Sequence, residues 1–73
     1  MGRLVGISGR QAVAAFSRAG YTWERTRGSH AILSQTGRPN LVIPLHKTVA
    51  PFLLRSQIRR AGLSEEGFLA LLG

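Results

Sequence analysis

The sequence predicts an α+β sandwich in the order α-β-β-β-α-α, and three observations carry that expectation. Apolar residues recur at three- and four-residue spacing up to Ala19, the period drops to two at Tyr21, and helical spacing returns after Pro51. An order of this kind packs its helices on one face of a small antiparallel sheet.

The first helix is expected over residues 9 to 19. Ser8-Gly9-Arg10-Gln11 fits a capping box, in which the Ser8 hydroxyl and the Gln11 amide satisfy backbone donors at a helix start. Ala12, Val13, Phe16 and Ala19 form the apolar stripe, and Gly20 stands where a C-terminal cap belongs.

Residues 21 to 34 read as a tight hairpin. Tyr21, Trp23, Arg25 and Arg27 alternate with Thr22, Glu24 and Thr26, Gly28-Ser29 is a turn pair, and His30 opens the β-type run His30-Ala31-Ile32-Leu33-Ser34. Thr36-Gly37-Arg38-Pro39-Asn40 is dense in turn formers, so a third strand is expected only over Leu41-Val42-Ile43, ended by Pro44.

The second helix is expected from Pro51, which suits a first turn, to Ala61, with Gly62 as terminator. Phe52, Leu53 or Leu54, and Ile58 give its apolar spacing, and Arg55, Arg59 and Arg60 form a basic stripe between them. Ser64 followed by Glu65 and Glu66 starts a short terminal helix with Phe68, Leu69, Leu71 and Leu72 on its apolar side. No internal repeat or linker divides the chain, so residues 1 to 73 are expected to form a single domain.

Composition narrows the partners. Ten Lys and Arg stand against three Asp and Glu, a formal charge of +7 at pH 7, and nine of the ten cations are arginine. That balance points to a polyanion, and the guanidinium fork suits phosphate and stacked bases. Uncharged apolar runs such as Leu41 to Leu45 are far short of the roughly 20 residues a membrane span needs. Met1 to Ile7 holds no apolar stretch of signal-peptide length, and the chain has no cysteine, so a cytoplasmic protein with no membrane partner is expected.

Only two histidines are present, and each falls at the edge of an expected strand. His30 follows the Gly28-Ser29 turn with Arg25 and Arg27 on the strand before it; His46 follows Pro44-Leu45 and precedes Lys47. A histidine at a turn is ordinarily just a surface residue, but cations beside it can hold a phosphate while the imidazole moves protons near neutral pH. RNA carries its own nucleophile in the 2′-hydroxyl, so a base and positive charge suffice to cleave it. Two histidines without cysteine and with three carboxylates make a poor zinc set, so no metal site is expected. Serine nucleophile chemistry lacks an aspartate to orient the histidine, which leaves Ser29 to shape the turn or bind phosphate. Tyr21 and Trp23 read as core aromatics more than as base-stacking platforms.

Taken together, Ser8-Gly9, Ala19-Gly20-Tyr21, Arg27-Gly28-Ser29-His30, Ile43-Pro44-Leu45-His46, and Leu54-Arg55 leading to Arg60-Ala61-Gly62-Leu63 resemble the HicA toxins of bacterial and archaeal toxin–antitoxin pairs. The similarity runs from about residue 5 to residue 72. Where members often carry Gly-Thr before the Leu-Arg pair, this chain reads Pro51-Phe52-Leu53.

The resemblance implies a fold like the double-stranded-RNA-binding domain, here with a short C-terminal helix. It implies ribosome-independent cleavage of mRNA, a catalytic histidine at His30 with Gly28 and Ser29 shaping its turn, and a HicB-like antitoxin as protein partner. On this expectation His30 is general acid or base, Arg25, Arg27, Lys47 and Arg55 contact the RNA backbone, His46 is a second proton-transfer group, and no small-molecule cofactor takes part. Two other classes fit the same basic chain: a non-catalytic RNA-binding module, and a DNA-binding antitoxin or repressor using the helices on either side of Gly62-Leu63.

Overall fold

The structure, a computed structural model, describes residues 3–72. The start of the Met1–Ile7 stretch, and both ends of the expected 1–73 domain, therefore lie outside the described residues. Helix α1 spans Gly9–Arg18, strands β1, β2 and β3 span Thr22–Arg27, His30–Gln35 and Arg38–Pro44, and helices α2 and α3 span Pro51–Arg60 and Glu65–Ala70. This is the α-β-β-β-α order of a double-stranded-RNA-binding-domain-like fold, with the short C-terminal helix in place.

Local chemistry sets the helix ends. At α1 the Ser8 hydroxyl accepts from the Gln11 N–H at 3.1 Å and the Gln11 amide oxygen accepts from the Ser8 N–H at 2.8 Å, so the capping box is complete. Both α1 and α2 stop in the same way. The N–H groups of Gly20 and Tyr21 donate to Ser17 and Phe16, and those of Gly62 and Leu63 to Arg59 and Ile58, with both glycines at positive φ. Entry into α2 uses no side-chain cap; Pro51 supplies the helical φ in the first turn.

The sheet is antiparallel in the order β1-β2-β3. Ala31 and Leu33 of β2 and Leu41 and Ile43 of β3 project to one face and are buried, together with Val13 and Phe16 of α1, Leu54 and Ile58 of α2 and Phe68 of α3. Phe16 is the centre of this layer, 5.0 Å from the Phe68 ring and 6.3 Å from the edge-on Tyr21 ring. The other face, with Ile32 and the 42% exposed Val42, carries no helix. Among the described residues no helix is long and apolar enough to cross a membrane.

Three sequence expectations are corrected. The alternation through β1 breaks at Glu24: Trp23 pairs with Leu33 but Arg25 pairs with Ile32, a bulge that puts Trp23 on the helix face and Arg25 and Arg27 on the open face. Trp23 is accordingly a rim residue, its Nε1 donating to Thr26 Oγ1 at 2.9 Å and the Arg10 guanidinium lying 5.9 Å from its ring centre.

Strand β3 begins at Arg38 instead of Leu41, so the turn is only Thr36-Gly37. Pro39 is tolerated because β3 is an edge strand, and its carbonyl accepts from the Tyr21 hydroxyl at 3.0 Å. Finally, Phe52 is 74% exposed, and the buried face of α2 is made of Leu54, Gln57 and Ile58. That rotation lets Gln57 Oε1 accept from the Val42 N–H at 3.1 Å and the Arg60 guanidinium donate to the Asn40 carbonyl at 3.1 Å. Helix α2 thus closes the free edge of β3.

Candidate functional site

The turn between β1 and β2 consists of Gly28 and Ser29 alone, with Arg27 paired to His30 across it. Gly28 has φ +59° and Ser29 does not have a positive φ, the pattern of a type II′ hairpin turn, whose twist matches that of the strands it joins. The Ser29 carbonyl accepts from the Leu45 N–H at 2.7 Å, which carries the β2–β3 ladder past Pro44. His30, at the first position of β2, therefore lies between Arg27 on one side and Pro44 on the other.

The segment after β3 is fixed from the opposite flank. The Gly9 N–H, at the first residue of α1, donates to the His46 carbonyl at 2.9 Å, and the Val49 N–H donates to the Ile7 carbonyl at 2.8 Å. Gly9 is buried, and any side chain there would run into the backbone of Pro44 and Leu45. Its lack of a Cβ is what lets the start of α1 lie against this segment. From the sequence Gly9 reads only as a helix opener; the one signal for more is a glycine at a position where a good helix former would serve better.

These constraints bring the two histidines together. Their ring centroids are 6.4 Å apart with the planes inclined at 65°, and both side chains are exposed. Arg27 faces the same side as His30, Arg25 lies one pair further along the open face opposite Ile32, and Lys47 is exposed next to His46.

The charge around them is unquenched. Among the described residues, the side chains of Arg25, Arg27 and Lys47 have no hydrogen-bonding or ion-pair partner, while the carboxylates of Glu65 and Glu66 are taken up by Arg55 at 2.8 Å and Arg3 at 3.9 Å. Arg18 is likewise engaged, donating to the Leu71 carbonyl at 2.6 Å. Arg55, expected with the backbone-binding cations, stands at the junction of α2 and α3, in a shallow dent lined by Ile58, Arg59, Leu63 and Glu65. The arrangement at the histidines is an open basic surface with two adjacent imidazoles, suited to a long polyanion that lies across it.

A family model described as the HicA toxin of bacterial toxin–antitoxin systems matches residues 9–63 of the 73-residue chain. No curated protein and no solved structure matches it.

Proposed function

From the premise that this chain belongs to the HicA toxin family of bacterial toxin–antitoxin systems, we propose that it is an endoribonuclease that cleaves mRNA without a metal ion, with His30 as the general base. The observation that carries this reading is the exposed His30 at the head of β2, paired with Arg27 across the hairpin and 6.4 Å from a second imidazole.

In this reading His30 removes the proton of a ribose 2′-hydroxyl, and that oxygen attacks the adjacent phosphorus. Arg25, Arg27 and Lys47 hold the phosphates on the open face and offset the charge that builds on the non-bridging oxygens. Gly28 and Ser29 position His30 through the II′ turn and the Ser29 carbonyl contact to Leu45. The donor set agrees: two histidines, no cysteine and three carboxylates, two of them engaged elsewhere, suit proton transfer better than ligation of zinc. The protein partner is a HicB-like antitoxin, and the compartment is the cytoplasm, where mRNA is found.

The test is incubation of the purified chain with mRNA in the presence and absence of EDTA, beside His30→Ala. Cleavage that survives EDTA and disappears in His30→Ala, with the variant still folded and still binding RNA, is the expected result. Binding with no cleavage by the parent chain would replace the enzyme with a non-catalytic RNA-binding module.

A further inference from the structure

The geometry points to His46 as the second catalytic residue, the general acid that protonates the departing 5′-oxygen; this rests on the reading of His30 as the base. In-line attack at phosphorus places the entering 2′-oxygen and the leaving 5′-oxygen on opposite sides of one atom. Two proton-transfer groups serving them must flank a single phosphoryl group, each within about 2.6–3.2 Å of its own oxygen. The His30 and His46 rings, 6.4 Å between centroids and both open to solvent, have the separation that one phosphodiester can bridge.

Nothing in the local sequence of either histidine demands that pairing. His46 lies after the end of β3 in a segment without helix or strand, where a side chain would ordinarily be free to wander. Here its backbone is held on both sides, by the Leu45 N–H bond to Ser29 and the Gly9 N–H bond to the His46 carbonyl itself. The turn that aims His30 and the segment that carries His46 are thus joined through adjacent residues, Ser29 to Leu45. A preorganised pair of this kind is what acid–base catalysis without a metal requires.

The step balances. His30 takes the 2′-hydroxyl proton as the bond from O2′ to phosphorus forms. The bond from phosphorus to O5′ breaks, and O5′ leaves with the proton of the His46 imidazolium. The products are a 2′,3′-cyclic phosphate and a 5′-hydroxyl, with His30 protonated and His46 neutral. The charged groups around the pair are cationic, Arg27 opposite His30 and Lys47 beside His46.

The test compares the parent chain, His30→Ala, His46→Ala and His46→Gln on two versions of one RNA, an oligonucleotide spanning a mapped cleavage site. One version has the natural 5′-oxygen and the other a bridging 5′-sulfur, whose thiolate leaves without an acid. On the oxygen substrate both His46 variants should be slower by about 10²–10⁴-fold. On the sulfur substrate they should return to within about tenfold of the parent rate, while His30→Ala stays inactive on both. The inference is overturned if the His46 variants cleave the oxygen substrate at the parental rate, or are slowed equally on both substrates. It is overturned too if sulfur rescues His30→Ala instead. Urea midpoints for each variant identify any loss that is only unfolding, and His46→Gln keeps the size and polarity of the side chain should His46→Ala not fold. A parent chain that fails to cleave the oxygen substrate would sink the ribonuclease reading itself. Normal His46 variants beside an inactive His30→Ala would sink only the role of His46.

Discussion

The N–H of Gly9 donates to the carbonyl of His46 at 2.9 Å, so the first residue of α1 holds the segment that carries the second imidazole. A methyl group at Gly9 would come within 2.7 Å of Leu45 Cα and still closer to the Pro44 carbonyl, and both are backbone atoms that cannot rotate out of the way. Gly9→Ala should therefore destabilise the fold by about 1–3 kcal/mol, the usual effect of forcing a methylene into a packed site. Because the displaced atoms belong to the His46 segment, RNA cleavage should fall by more than the folded fraction falls. Urea denaturation and single-turnover cleavage of the same samples check this; an unchanged urea midpoint would remove Gly9 from the account of the site.

Gly28 poses the opposite problem. A Cβ there meets nothing within 4 Å, so any effect of substitution comes from the backbone alone, which sits at φ +59°. Gly28→Ala should lose about 1–2 kcal/mol for placing an L-residue in that region. It should leave the core bonds of β2 and β3 unaltered. Equilibrium unfolding gives the loss, and the amide chemical shifts of Leu33 and Leu41 report whether the sheet itself is untouched. Stability equal to the parent would mean that the turn relaxes and that glycine is not needed to aim His30.

The hairpin and the helix caps are legible in the sequence because their signals are local. Ser8 and Gln11 are three residues apart, and Gly28-Ser29 specifies its turn by itself. Features that depend on a partner strand or helix are not. An extra residue at Glu24 costs nothing in a single strand; only the pairing with Ile32 and Leu33 reveals it, and it moves Arg25 and Arg27 to the face opposite Trp23. Arg38-Pro39-Asn40 carries turn formers, yet the free edge of β3 has no need of a proline N–H, and the strand starts there. Phe52 shares the helical spacing of the apolar stripe but is exposed, because closing the β3 edge with Gln57 rotates α2 away from it. The two histidines can each be picked out beside cations. That they meet cannot, since their approach needs the β2–β3 register and the close packing permitted by Gly9.

Gln57 is the one buried polar side chain among the described residues, and its Oε1 is the acceptor for the Val42 N–H on the free edge of β3. Gln57→Leu preserves much of the volume and removes the acceptor, leaving a partly buried backbone donor unpaired. The expected loss is about 1–3 kcal/mol. The same variant should speed hydrogen exchange at the Val42 amide more than at Ile32, in the central strand. Equal acceleration at both would show a general loosening of the fold, with no special part for the edge bond.

The basic surface can be divided by salt titration. Among the described residues the Arg27 and Lys47 side chains, on the histidine side, have no partner, whereas the Arg55 guanidinium is held by Glu65 at 2.8 Å. In a His30→Ala background, where RNA is expected to stay intact, removing one cation that neutralises a phosphate of single-stranded RNA should make the slope of log K against log salt shallower by about 0.7. Arg27→Ala and Lys47→Ala should each show that decrease and weaken binding across all RNA sequences alike, since phosphate contacts carry no base information. Arg55→Ala should change the slope by less, because its charge is already partnered and it lies in the α2–α3 dent with Arg59. A decrease for Arg55→Ala as large as for Arg27→Ala would extend the RNA path across α2. No decrease for Arg27→Ala or Lys47→Ala would mean that the backbone does not cross the turn where His30 stands.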